Sequence, residues 1–141
     1  MLIRALATIL LLLCSVTSYA DENREVQTYW SQFRRAVLDE DNEKLARMTK
    51  FPLWVRGTVD SSPVIYYGRK DFDHILKKLL NQPIVVSNSD RVEVKTMLQV
   101  IKEKKRLTQR DFQTRNIVRV ELFRFDKING TWLFTRGYIE E

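Results

Sequence analysis

The turn signal Asn129-Gly130 lies between two segments of alternating apolar and polar residues, and it constrains the fold more than any other feature. The segments span 113–126 and 131–140, and alternation with a period of two is typical of strands that bury one face. Asn-Gly favours a two-residue hairpin turn because both turn positions require a positive φ. The sequence therefore predicts an antiparallel hairpin of two long strands in its last third.

The predicted register of this hairpin divides the side chains between two faces of a sheet. With Asn129 and Gly130 as the turn, the facing pairs are Lys127 with Trp132, Phe125 with Phe134, Phe123 with Arg136, and Glu121 with Tyr138. One face is therefore aromatic and ends in a polar group of Glu121, Arg136 and Tyr138. The other face is apolar without aromatic residues, and a preceding strand predicted at 91–103 extends it. The hairpin contributes Val118, Val120, Leu122, Leu133 and Ile139 to this face, and the preceding strand contributes Val92, Val94, Leu98 and Val100.

Amphipathic helices are predicted before these long strands, because apolar residues recur there at spacings of three and four. Helices are predicted at 21–39 and from Phe72 to Leu80. A short helix between them starts at a cap on Asp41 or Asn42 and stops before Pro52. Short strands are predicted at 53–59 and 64–67. The order is helix, helix, two strands, helix, and three long antiparallel strands. This order indicates an α+β domain with three helices packed on a sheet.

The segment Met1–Ala20 has the three parts of a secretory signal peptide. Arg4 gives the positive start, an apolar run follows, and Ser18-Tyr19-Ala20 places small residues at the −3 and −1 positions of a cleavage site. An uncleaved anchor is disfavoured because the apolar run is shorter than the ~20 residues of a membrane span. A lipoprotein would require a small residue before Cys14, where Leu13 stands. We expect cleavage after Ala20, leaving one domain, 21–141, in the periplasm or secreted.

Cleavage would also fix the chemistry of the mature domain, since it removes Cys14, the only cysteine. Without a thiol the domain forms no disulfide and no thiolate metal site, and we expect no cofactor. Without Arg4 it keeps 23 Lys and Arg against 18 Asp and Glu, a net charge of +5. This charge suits an anionic envelope surface or an acidic partner, and nucleic acid is not an expected partner of an exported domain.

A family resemblance follows from the order of elements together with Phe51-Pro52-Leu53 after the second helix and Gly130-Thr131-Trp132 at the start of the last strand. Over 22–141 the chain resembles the nuclear-transport-factor-2-like fold of the cystatin-like superfamily. The resemblance implies a strongly curved antiparallel sheet closed into a cone by the helices. The fold hosts isomerases, dehydratases, ligand binders and interaction modules, so it does not by itself imply an activity.

The aromatic face of the hairpin is the predicted wall of such a cone-shaped pocket. Its candidate ligand-binding residues are Glu121, Arg136, Tyr138, Trp132, Phe123, Tyr66 and Trp54. Two interpretations of the polar group stay open. Glu121 and Arg136 form an internal ion pair that carries a hydrogen bond from Tyr138, or the group meets a small polar or anionic ligand. An isomerase or hydro-lyase would use Glu121 as its base, with Tyr138 or Arg136.

Two further surfaces are candidates for contacts with partners. A basic cluster that could dock on an acidic protein or anionic lipid is predicted at the turn between the first two long strands, and it consists of Lys102, Lys104, Lys105, Arg106 and Arg110. The apolar second face predicts a homodimer packed sheet to sheet, since both faces are then partly buried. His74, the only histidine, lies on the polar side of its helix and is expected to be exposed and not catalytic.

The sequence therefore favours an exported, non-catalytic binding or interaction domain whose ligand it does not identify. An isomerase or hydro-lyase with a pocket carboxylate is one alternative. An inhibitor or immunity protein for an envelope-targeted partner is the other.

Overall fold

The structure, a computed structural model, describes the backbone of residues 2–141 and the side chains of residues 19–141. Its helices are α1 (Leu2–Leu38), α2 (Asn42–Arg47), α3 (Phe72–Asn81) and α4 (Met97–Glu103). Its strands are β1 (Thr49–Gly57), β2 (Ile65–Tyr67), β3 (Pro83–Asn88), β4 (Arg91–Thr96), β5 (Phe112–Thr114), β6 (Ile117–Val120), β7 (Phe123–Ile128) and β8 (Thr131–Ile139). The predicted signal peptide, 1–20, lies outside the described side chains except for Tyr19 and Ala20. Among the described residues, no helix combines the length and the apolar character needed to cross a membrane.

Six strands form one mixed sheet in the order β2-β1-β8-β7-β6-β5, and β3 pairs with β4 in a separate two-stranded sheet. The prediction of a wholly antiparallel sheet is wrong for β1 and β8, which run parallel. Parallel neighbours need a long connection, and here the rest of the chain between them provides it. The predicted α+β class is confirmed: helices pack against a curved mixed sheet that is compatible with a nuclear-transport-factor-2-like cone.

The centre of the core is an aromatic cluster between α1 and the concave face of the sheet. Phe33 of α1 is fully buried, and its ring centroid lies 5.0 Å from that of Phe125, 5.7 Å from Phe134 and 6.4 Å from Phe123. Trp30, one turn earlier, lies 5.8 Å from Phe125 in an edge-to-face arrangement. Such pairs stabilise a core beyond the area they bury. The inside of the cone is therefore filled by its own side chains.

Helix α3 packs on the sheet as its apolar spacing predicts, with Phe72, Ile75, Leu76 and Leu79 buried. The helix approaches β8 closely at Gly137. A Cβ atom at that position would lie 2.8 Å from Cδ1 of Leu79, so only glycine fits without a shift of the leucine.

The predicted strand 113–126 is wrong as one element, because the chain reverses direction within it twice, at Arg115-Asn116 between β5 and β6 and at Glu121-Leu122 between β6 and β7. β6 and β7 form a hairpin in which Val118 faces Phe125 and Val120 faces Phe123, so all four side chains point into the core. An uninterrupted strand would have placed the valines on the opposite face. The turn was missed because Glu-Leu carries no turn signal: Glu121 adopts a φ of 48°, which is uncommon for a residue other than glycine.

The predicted register of β7 and β8 holds at the turn and fails beyond it. Lys127 with Trp132 and Phe125 with Phe134 pair as predicted, but the register shifts after Phe125 and Phe123 faces Gly137 instead of Arg136. The shift is a β-bulge that adds one residue to β8, and it moves Arg136 opposite Arg124. A bulge of this kind changes which side chains share a face, and Gly137 in the strand is the sequence signal that could have indicated it.

The predicted strand 91–103 is also wrong, because its second half is helix α4. Thr96 caps this helix, and its side chain and that of Gln99 form a reciprocal capping box that the strand assignment overlooked. Leu98 and Val100 therefore belong to a helix. Val92 and Val94 lie on the β3–β4 hairpin and are exposed, at 72% and 69%. The predicted apolar second face of the sheet does not form, and with it the argument for a sheet-to-sheet homodimer is lost.

Removal of the central ring tests this account of the core. We expect Phe33→Ala to lower the free energy of unfolding by about 3–5 kcal/mol, because it leaves a cavity among the three facing phenylalanines. Urea unfolding followed by circular dichroism measures the change. His74→Ala, at an exposed position of α3, is the control and should stay within about 0.5 kcal/mol of the parent. A loss below about 1 kcal/mol for Phe33→Ala would contradict the central role of this ring.

Candidate functional site

The predicted ligand-binding residues do not share one pocket, because the sheet separates them. Phe123 lies in the filled core, where its ring centroid is 4.7 Å from that of Phe134. Trp132 lines a cleft at the mouth of the cone. Trp54, Tyr66, Arg136 and Tyr138 lie on the outer face of the sheet, and Glu121 is exposed at the β6–β7 turn.

The mouth cleft has a volume of about 570 Å³. It lies between the β5 edge of the sheet and the part of α1 where side chains are first described, from Tyr19 to Val26. Its lining residues are Tyr19, Glu22, Asn23, Val26, Gln109, Phe112, Thr114, Arg115, Asn116, Lys127 and Trp132. Val26, Phe112 and Trp132 give it an apolar floor. A cleft of this size that combines an apolar floor with polar side chains is typical of a small-molecule site.

One polar atom beside this cleft lacks a partner. The Nε1 of Trp132 is buried, in a residue only 5% exposed, and no atom of the described residues accepts its hydrogen bond. Trp30 shows the usual arrangement, since its Nε1 donates to the Lys104 carbonyl oxygen at 2.8 Å. An unpaired buried donor costs free energy that an acceptor at that position would recover.

Two ion pairs at the rim join α1 to the sheet. Arg115 donates two hydrogen bonds to Glu22, at 2.7 and 2.6 Å, and Lys127 donates to Glu25 at 3.1 Å. The hydrogen bond from Arg115 lowers the pKa of Glu22. These cations are therefore largely matched by acids of α1, and they hold the helix over the apolar floor.

The predicted ion pair between Glu121 and Arg136 is not formed. The turn places Glu121 at the exposed end of the hairpin, where its backbone oxygen accepts a hydrogen bond from Arg119 Nε at 2.9 Å. The bulge places the guanidinium of Arg136 over the ring of Trp54, 4.8 Å from its centroid. Glu121 therefore faces neither Arg136 nor the filled interior of the cone, and it lines an open groove together with Arg119 instead.

Stacked arginines and aromatic rings instead cover the outer side of the sheet. Arg56 also lies over Trp54, at 5.4 Å, and Arg119 lies over Tyr138, at 4.6 Å. Trp54 and Tyr138 meet edge to face at 5.3 Å. We call this surface the arginine–aromatic face, and its members are Trp54, Arg56, Tyr66, Arg119, Arg124, Arg136 and Tyr138.

Asp126 is the acid paired within this surface. Arg124 donates two hydrogen bonds to its carboxylate, at 3.0 and 2.8 Å, and the hydroxyl of the bulged residue Thr135 donates a further one. Burial raises the pKa of Asp126, but the hydrogen bonds from Arg124 and Thr135 outweigh it and hold the pKa below its ordinary value. The network therefore fixes the bulge and Arg124 together.

The predicted basic cluster forms, but not at a hairpin tip. Lys102 is exposed on α4, and Lys104 pairs with Asp111 at 2.9 Å. Lys105, Arg106 and Arg110 are exposed in the segment between α4 and β5. With the exception of Lys102, the cluster lines a groove of about 750 Å³ that also includes Lys95, Arg119 and Glu121. The position was mispredicted because α4 had been assigned to a strand.

His74 is exposed on α3, as predicted. Among the residues with described side chains, no group of three or more His, Cys, Asp or Glu is placed to hold a metal ion.

Comparison with protein-family models, with curated proteins and with solved structures finds no match to this chain.

Sequence reasoning missed Arg56, Arg119, Arg124 and Asp126 as members of a site. Arginines on neighbouring strands can be recognised as one cluster only when the register of those strands is known. Both the β6–β7 turn and the bulge change that register. The two-residue spacing of Arg124 and Asp126 on one strand is a signal that could have been read, since such residues share a face.

The lowered pKa of Asp126 predicts how stability depends on pH. A carboxyl whose pKa is lowered by folding stabilises the fold above its unfolded pKa, about 3.9, and this contribution is lost as the pH falls through the folded pKa. Asp126→Asn should therefore be less stable than the parent at pH 7, and the difference should shrink towards about pH 3. Urea unfolding at both pH values measures it. Asp90→Asn, in the exposed β3–β4 turn, serves as the control, and a difference independent of pH for Asp126→Asn would contradict the assignment.

Proposed function

We propose that the chain is an exported, non-catalytic binding domain whose mouth cleft takes a small, largely apolar molecule with a hydrogen-bond acceptor. The observation that carries this proposal is the buried, unpaired indole N–H of Trp132 beside the apolar floor of the cleft. An acceptor group of a ligand would satisfy that donor, and the apolar remainder of the ligand would cover Val26 and Phe112.

The enzyme alternative assigned Glu121 as its base, and the position of this residue favours binding over catalysis. Glu121 lies at an exposed turn, away from the mouth cleft and from the filled interior. Glu22, which does line the cleft, is held by two hydrogen bonds from Arg115 that lower its pKa and so disfavour a role as a general base near neutral pH.

The same proposal includes membership of the nuclear-transport-factor-2-like superfamily. The α+β fold with its curved sheet supports it. In this proposal the cone holds the ligand at its mouth, because aromatic side chains occupy its interior. Export is proposed on the signal-peptide pattern of residues 1–20. Cleavage after Ala20 would remove Tyr19, which lines the cleft, and would open that side of it.

A titration with decanoate tests the cleft, since this probe combines an apolar chain with a carboxylate acceptor. Isothermal titration calorimetry of the chain lacking residues 1–20 should show binding, and Trp132→Phe should weaken it by about tenfold, because a hydrogen bond to a charged acceptor is lost. Asn23→Trp, on the exposed side of α1, should abolish binding by filling the cleft.

The matched control is Trp54→Phe, which makes the same change on the outer face and should leave decanoate binding unchanged. Decylammonium, which has the same chain and no acceptor, should bind more weakly than decanoate. Equal affinities of the parent and both cleft variants would contradict the proposed site.

Export has a separate test. The intact mass of the protein purified from the envelope of its own cells should correspond to residues 21–141. A mass that includes residues 1–20 would contradict cleavage, and Tyr19 would then remain in the lining of the cleft.

A further inference from the structure

The outer face of the sheet carries a row of neighbouring arginines that the fold does not neutralise. Arg119 faces Arg124 across β6 and β7, and Arg124 faces Arg136 across β7 and β8. Like charges directly opposite each other destabilise a sheet. One carboxylate, that of Asp126, pairs with this row among the described residues, and it binds Arg124. The arrangement therefore has an excess of positive charge that acceptors from outside would stabilise.

Aromatic residues continue the same row on the next strands. Arg136 pairs with Trp54 of β1, and Trp54 pairs with Tyr66 of β2. Tyr66 is 62% exposed, and Trp54 and Arg136 are half-buried. The helices pack against the concave side, so the described residues leave this row open to a partner. Trp, Tyr and Arg are the residue types that contribute most to the affinity of protein interfaces.

Arg56 provides a second and independent sign of a missing acceptor. Its Nε is buried without a hydrogen-bond partner in the described residues, while the rest of the guanidinium lies over Trp54. Its nearest acid, Asp60, is fully exposed and 3.9 Å away, at the limit of an ion pair. Exposed pairs of this length contribute little.

Arg119 connects the row to the basic groove. The groove is lined by Lys105, Arg106 and Arg110 and also by the acids Glu103, Asp111 and Glu121, and it meets the outer face at Arg119. Lys105, Arg106, Arg110 and Arg119 have no ion-pair partner among the described residues, so the groove adds unpaired cations to those of the row.

We propose that the arginine–aromatic face, continued into this groove, docks an acidic segment of a protein partner, with carboxylates on Arg56, Arg119 and Arg136. A second copy of the chain does not fit, because a symmetric contact would place this cationic patch against an identical cationic patch. A protein is favoured over an anionic lipid surface because the arginines lie flat on rings. Their planar N–H groups are thereby held for bidentate pairing with carboxylates.

The proposal is tested with fluorescently labelled poly-L-glutamate, whose binding is followed by anisotropy at about 0.15 M ionic strength. Arg136→Gln and Arg119→Gln should each weaken binding by about tenfold, since each removes charge-assisted hydrogen bonds. Arg119→Lys keeps the charge but loses the planar fork, and it should give an intermediate affinity. The charge-matched control is Arg47→Gln, on the exposed surface of α2, which should change the affinity by less than about twofold.

Several outcomes would overturn the proposal. Equal weakening by Arg47→Gln would mean that only net charge matters. Binding to phosphatidylglycerol vesicles but not to poly-L-glutamate, with sensitivity to Arg136→Gln, would assign the face to lipid. A dimer in sedimentation that Arg136→Gln dissociates would assign it to a second copy. Because Arg119 is exposed, we expect Arg119→Gln to fold, and this variant tests the proposal even if Arg136→Gln does not fold. Decanoate binding in the cleft is independent of these results.

Discussion

The packing of α1 against the aromatic side chains of β7 and β8 is the interaction on which the rest of the structure depends. Phe33 contacts three phenylalanines of the sheet, and the same helix reaches the segment after α4 through its polar side chains. Trp30 donates to the Lys104 carbonyl, and Gln27 exchanges two hydrogen bonds with the backbone of Leu107, at 2.9 and 3.0 Å. One helix therefore fixes the core and also orders the chain that carries the basic groove.

A filled core changes where this fold can bind anything. A cone is expected to hold a ligand in its interior, yet here aromatic rings occupy that space at packing distances. Unpaired groups lie elsewhere among the described residues: at the mouth the indole N–H of Trp132 lacks a partner, and on the outer face arginines lie on aromatic rings. The two surfaces differ in chemistry: the cleft combines an apolar floor with polar and charged side chains, and the outer face is cationic.

Two local departures from regular strands create the outer face. The turn at Glu121-Leu122 reverses the chain, so that Val118 and Val120 join the core and Arg119 faces outward. The bulge at Thr135 then brings Arg136 beside Arg124 and over Trp54. Without them, an uninterrupted pairing would have put Arg136 on the same side as the phenylalanines, where a charge without a partner would be costly. The core and the cationic face therefore arise from the same two departures, the turn and the bulge.

The sequence alone determined the α+β class, helix α3, the Asn129-Gly130 turn and the two residue pairs next to it, because these depend on local periodicity and turn chemistry. It placed the cap of α2 at Asp41 or Asn42, and the structure has it at Asp41. It also predicted that Trp132 would line a pocket and that His74 would be exposed. Only the tertiary structure decided the parallel pairing of β1 with β8, the β6–β7 turn, the bulge and helix α4. The turn and the bulge are stabilised by core packing and long-range pairing and not by the propensities of their own residues. The sequence therefore identified Trp54, Arg136 and Tyr138 as important, but the face they share and the arginines beside them followed only from the fold.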